Sequence, residues 1–196
     1  MRPPRRSPPP LPPRPVLRRK REVDAPEPEP ETPGPELGPC FRIDRHGNWF
    51  YHENAITRKE MVCILAMTLE RWPDGTYFVD NPIVSGSAEI EDAPFVIETA
   101  VIGSSKGVPL VSLCTNIDQI IALDRSSGLR SGIDRANGLP ALYIDLGGGL
   151  EARFSDAACR TLAEAARTET VDGRVTYGIW SDGVFFPLPD LSDYLE

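Results

Sequence analysis

Histidine is nearly missing from this chain: two among 196 residues, His46 in a turn and His52 in a loop. Nucleophilic relays of the Ser-His-Asp or Cys-His kind need an oriented base, and neither position supplies one. His52-Glu53 lacks the second helical histidine of a metalloprotease motif, and no metal-ligand cluster stands out. The residues therefore name no catalytic group, metal site or cofactor. Cysteine is also sparse. Cys40, Cys63, Cys114 and Cys159 have no CxxC spacing, so they read as reduced thiols, two of them on helix core faces, in a cytoplasmic protein. There is no apolar run of 18 residues to span a membrane. The basic N-terminus has no apolar stretch behind it, as a secretory signal would.

Proline is abundant but confined: 14 of 21 lie in residues 1–39. That stretch has too few apolar residues to offset the entropy of ordering, so it reads as a disordered tail. Its charge is segregated, with eight basic residues from Arg2 to Arg21 and six acids from Glu22 to Glu36. The tail thus carries +2 (8 basic, 6 acidic) and the remainder −10 (13 basic, 23 acidic). An acidic body opposes binding to duplex nucleic acid, whose affinity comes from Lys and Arg on phosphates. Pro9, Pro12 and Arg14 form a PxxPxR pattern, which offers a polyproline helix to a protein partner or serves as a spacer.

Two segments share a pattern at an offset of 98. Phe41 and Ile43 alternate with polar neighbours, "RHGN" marks a hairpin, and Trp49 to Tyr51 resume a strand. Thr57 then reads as a helix N-cap with Glu60 completing a capping box, and Met61, Ile64, Leu65 and Thr68 form the helix face. In the second segment Ser155 takes the cap position, and Cys159, Leu162, Ala163 and Ala166 the face, over a helix from Asp156 to about Thr168. Asp74-Gly75 and Asp172-Gly173 each follow their cap by 17 residues. Residues 83–140 are β-rich and carry no helical period. These signals predict an α+β protein: a tail at 1–39, an N-terminal α+β part at 40–82, and a C-terminal β-rich part at 83–196. The C-terminal part reads as a curled antiparallel sheet with one helix, and the strand–turn–strand–helix–strand unit as used twice.

Polar candidates cluster in the middle and second part. Glu89, Glu91 and Asp92 in "EIEDAP" either bind a ligand or metal, act as acid and base, or form a solvated strand face. Thr115-Asn116 is a turn or a pair of hydrogen-bonding groups for a base or ribose. Gly147 to Gly149 form a hairpin turn or expose N–H groups to phosphate. Arg153 either grips phosphate or faces solvent. Glu91, Asp92, Asn116 and Arg153 are the expected ligand-binding set.

In order along the chain, "FRIDRHGNWF", "ITRKEMV", "EIEDAPFV", "LCTN", "YIDLGGGLEARFS" and "GIWSDGVFFPL" resemble the motifs of a bacterial family, domain of unknown function 1285, over residues 40–188. The resemblance implies a two-part protein with duplicated motifs and a C-terminal domain similar to pleckstrin-homology-like folds. It also implies a nucleotide-like ligand between the parts, a role in signal transduction and, among the candidates, weight on Asp92. The expectation is a cytoplasmic, non-catalytic binding module. The alternatives are a small enzyme using Asp92 and Glu91 on a phosphorylated compound, and an interaction scaffold working through the tail.

Overall fold

Short apolar–polar alternations separated by tight turns favour strands over helices, and strands dominate the protein. A computed structural model describes residues 40–188. The proline-rich stretch at 1–39, including the PxxPxR pattern, and residues 189–196 lie outside the described residues. The described residues belong to one compact unit.

The chain opens with β1 (Phe41–Ile43), β2 (Trp49–Tyr51) and β3 (Asn54–Ala55), then α1 (Lys59–Ala66), β4 (Leu69–Arg71), β5 (Tyr77–Asp80) and β6 (Ser85–Ile90). A second series follows: β7 (Phe95–Ser105), β8 (Val108–Thr115), β9 (Ile120–Leu123), β10 (Leu129–Ile133), β11 (Pro140–Gly147) and β12 (Leu150–Phe154). Last come α2 (Asp156–Ala165), β13 (Arg167–Val171), β14 (Arg174–Ser181) and β15 (Val184–Pro187). The first sheet has the order β3-β2-β1-β6-β5-β4, the second β10-β11-β12-β7-β8-β9, and a third β13-β14-β15. The protein is α+β, as expected. The first two sheets are mixed, because β1 runs parallel to β6 and β12 parallel to β7. One apolar core runs through both, with Phe41, Ile43 and Val79 from the first sheet, Ile97, Leu113 and Ile144 from the second, and Leu162 from α2.

β6, which lies in the stretch read as β-rich, pairs with β1 and β5 and completes the first sheet. The pairing with β1 is long-range. Phe41, Arg42 and Ile43 take Ala88, Glu89 and Ile90 as parallel partners, a pairing that no local signal announces.

The two helix starts differ. Ser155 Oγ accepts the N–H of Ala158 at 3.1 Å and caps α2 as expected. Thr57 does not cap α1. The cap residue is Arg58, with extended backbone and no side-chain hydrogen bond. Both helices end early. Leu69 to Arg71 pair with Tyr77 to Val79 in a hairpin, and Arg167 to Val171 pair with Arg174 to Gly178. A hairpin closed at a DG turn needs a strand on each side, and this pairing overrides helical propensity. On α2 the expected face is buried at Cys159, Leu162 and Ala163. On α1 only Leu65 and Ala66 are buried. None of the four cysteines is in a disulfide; Cys159 is buried and the other three are half-buried.

These starts make opposite predictions. Ser155→Ala should lower stability by about 1 kcal/mol, the usual loss at a used cap. Thr57→Ala should change it by less than ~0.5 kcal/mol, as at an ordinary surface position. Urea unfolding of the two variants compares them directly, and an equal loss in both would contradict the cap geometry.

Candidate functional site

The two central strands, β6 and β7, belong to different sheets, and Glu91 to Pro94 form the elbow between them. Consecutive strands that split between two sheets bring the ends of their partners to the same place. β1 ends beside β6, so Arg45 arrives at the elbow. β8 runs antiparallel to β7 and delivers Asn116 there. β12, parallel to β7, delivers Arg153, whose partner across β11 is Tyr143. Asp134 follows β10. Residues far apart in sequence are thus collected by topology.

The Asp92 carboxylate is buried, at 2% exposed. Tyr143 donates its hydroxyl to Asp92 Oδ1 at 2.9 Å, and the Arg135 backbone N–H donates to the same oxygen at 3.0 Å. Arg153, only 6% exposed, holds Nε 3.6 Å from Asp92 Oδ2 and 4.0 Å from Asp134 Oδ2. These are charge contacts beyond hydrogen-bond range, and Arg153 Nε has no hydrogen-bond partner. Its other nitrogens donate to Phe154 O at 3.1 Å and Arg45 O at 3.2 Å. Arg45 reaches Asp134 Oδ2 at 3.0 Å. Glu91 accepts from Arg42 Nη1 at 2.9 Å and from the Arg45 N–H at 3.1 Å. Burial pushes the Tyr143 phenol far up, and the neighbouring Asp92 charge adds to the shift.

Asn116 completes the junction. Its amide donates to Gly47 O at 3.1 Å and accepts the Val96 N–H at 3.1 Å. Arg153 and Asn116 therefore grip one turn, Asp44 to Asn48, at two of its carbonyls. Gly47 sits in that turn at φ +79°, and a Cβ there would strike Asn116 Nδ2. Glycine is required twice over, by backbone sign and by close approach.

Topology brings the four expected residues into one junction, but in a different setting from the one foreseen. Arg153 faces the interior and not solvent. Asp92 is sealed and not part of a solvated strand face; Glu89 alone of the three acids is exposed. Three guanidiniums (Arg42, Arg45, Arg153) meet three carboxylates (Glu91, Asp92, Asp134), so no surplus positive charge remains to draw an anion. Both oxygens of Asp92 and both of Glu91 are engaged by the protein itself. His46 and His52 are exposed.

An open cleft adjoins this junction. It measures ≈ 420 Å³ and is lined by Arg71 from β4, by Leu129 and Arg130 from β10, and by Asp145, Gly149 and Glu151 around the β11–β12 turn. It therefore spans the first and second sheets. Arg71 forms no ion pair among the described residues, and its guanidinium lies 5.6 Å from the centre of the Tyr77 ring. Arg130 pairs with Glu151 and stacks 4.3 Å above the ring of Tyr143, the residue that bonds Asp92. Tyr143 thus links Arg130 of the cleft wall to Asp92 of the buried junction. Sequence reasoning missed Arg71 and Arg130. Each is an ordinary charged residue next to a turn, and only sheet pairing sets them opposite one another.

This architecture is that of a two-part α+β protein joined at a strand elbow, and the comparisons agree on the family. Residues 33–93 match the domain of unknown function (DUF1285), N-terminal domain, and residues 94–188 match the protein of unknown function (DUF1285), C-terminal domain. The chain belongs to the DUF1285 family. It is similar to the crystal structure of a DUF1285 family protein from Silicibacter pomeroyi DSS-3, with 27% identity, TM-score 0.66, and coverage of 80% of this chain and 83% of that one. A DUF1285 family protein from Shewanella baltica OS155 matches at 21% identity and TM-score 0.45, covering 60% of this chain and 84% of that one. No curated protein matches the chain. Among the described residues, no helix is long and apolar enough to cross a membrane.

The junction predicts a large cost for breaking it. Asp92→Ala leaves the Arg153 charge buried beside Asp134 alone and should destabilise by about 3 kcal/mol, as expected when one partner of a buried pair is removed. Tyr143→Phe removes one hydrogen bond to a charged group and should cost about 1.5 kcal/mol. Denaturant midpoints of the two variants and of the double variant measure these losses and their coupling.

Proposed function

We propose that this protein is a binding module whose ligand lies in the cleft between the two parts. The carrying observation is the juxtaposition, across that cleft, of the unpaired Arg71 guanidinium with the Arg130–Glu151 pair, Asp145 and the glycine turn. Such a wall is zwitterionic. It suits a ligand with an anionic group for Arg71 and hydroxyl or amino donors for Asp145 and Glu151. A nucleotide or nucleotide-like compound has that combination, and a cleft of this volume lies in the range of small-ligand sites.

In this reading Glu91, Asp92, Asn116 and Arg153 serve the ligand from behind the wall. They fix the angle between the two sheets, and Tyr143 couples Asp92 to Arg130. A ligand that pulls on Arg130 would bear on the junction, which is a route for a signalling role in the cytoplasm. An internal duplication is proposed on the same footing. In both halves an antiparallel strand pair leads into a helix and then a second strand pair. The six-stranded second sheet packed with α2 supports a pleckstrin-homology-like reading of the C-terminal part.

The test is a thermal-shift and calorimetric screen of nucleotides against the full chain. A specific nucleotide at 100 times its dissociation constant should stabilise by about 2.7 kcal/mol. Arg71→Ala should abolish the shift at unchanged basal stability, whereas Arg153→Ala should lose binding and stability together. His46→Ala and His52→Ala should bind normally. Binding that survives Arg71→Ala would sink the cleft as the site.

A further inference from the structure

A second cavity, larger and of opposite chemistry, lies against α1. It measures ≈ 610 Å³ and is walled by Phe41 and Tyr51 from the sheet, Ile56 ahead of the helix, Met61 and Ile64 on it, and Ile83 from the β5–β6 loop. It exists because α1 is only eight residues long and presents two apolar faces. Leu65 and Ala66 enter the core, while Met61 and Ile64 remain 50% and 54% exposed and Ile83 91%. Unburied apolar side chains that converge on one hollow, and are not scattered singly, mark a binding surface. The methionine supplies a wall that can adapt to its occupant.

The lining also indicates what kind of molecule fits. Arg58 is the one charged residue among the lining residues, and it forms no ion pair among the described residues. The other polar side chains are Asn54, Thr57, Asn81 and the Tyr51 hydroxyl, in a lining that is otherwise apolar. A second copy seated groove to groove would bring two Arg58 guanidiniums to one apolar contact with no acid in either lining to pair them, a like-charge cost. An unbranched carbon chain ending in a carboxylate meets both requirements, burying methylenes along Phe41, Met61, Ile64 and Ile83 and pairing its head with Arg58. We propose that this groove is a binding site for medium-chain carboxylates, independent of the polar cleft.

The probes are hexanoate, octanoate, decanoate and dodecanoate, titrated calorimetrically into the full chain below micelle formation. Each added methylene should tighten binding about fourfold until the groove is filled, as expected from ~0.8 kcal/mol per buried methylene. Decanoate should bind about tenfold more tightly than 1-decanol, reflecting a charged hydrogen bond, and Arg58→Ala should erase that difference. Ile64→Asp and Met61→Asp should abolish binding with an unchanged circular dichroism spectrum, since both side chains are half exposed. Arg71→Ala should leave it intact, which separates this site from the nucleotide cleft. Affinity independent of chain length, or unchanged in Ile64→Asp, overturns the proposal. So does a dimer of the wild-type chain, by sedimentation, that Ile64→Asp converts to monomer, because the groove then belongs to a second copy.

Discussion

The contact between Asp92 and Arg153 is the constraint on which the two-sheet arrangement rests. An ionised carboxylate and a guanidinium taken out of water each carry a desolvation cost that their mutual attraction repays only with excellent geometry and additional partners. Here the partners are present: Tyr143 and the Arg135 N–H on the carboxylate, Asp134 beside the guanidinium, and two backbone carbonyls accepting from it. Those partners come from both sides of the elbow. Moving one sheet relative to the other would strand a buried charge, so the pair specifies an angle more than it supplies net stability.

That arrangement separates the groups that hold the protein together from those left open to a ligand. A group that must hold the protein together cannot also be free for a ligand. Arg71, on edge strand β4, is uncommitted; Arg153, in the middle of its sheet, is committed on every side but Nε. The same separation of tasks appears at Asn116. Its amide could in principle hydrogen-bond a base, but in the fold it fixes Val96 and the Gly47 turn.

Much of the fold was legible in the sequence. The hairpin at "RHGN", the β-rich character of residues 83–140 and the Ser155 cap follow from periodicity and turn chemistry, which act within a few residues. The shortened helices and the strand β4 were not legible, because Leu69 and Trp72 continue a helical period equally well; only pairing with Tyr77 to Val79 decides for strand. Thr57 failed as a cap for a related reason. The capping pattern was present, but the helix begins one residue later, at Lys59.

What the sequence alone determined about this protein is therefore local and compositional: an α+β chain with an acidic body, a segregated proline-rich end, no oriented histidine, and a set of polar residues too distinctive to ignore. Their meaning was decided by tertiary structure. Whether Arg153 meets water or Asp92, and whether Asp92 faces solvent or the Tyr143 hydroxyl, depends on two parallel pairings, β1 with β6 and β12 with β7, between segments tens of residues apart. A side chain's burial and partners are properties of such pairings. The residue types and spacings that fix a turn or a cap carry no information about them.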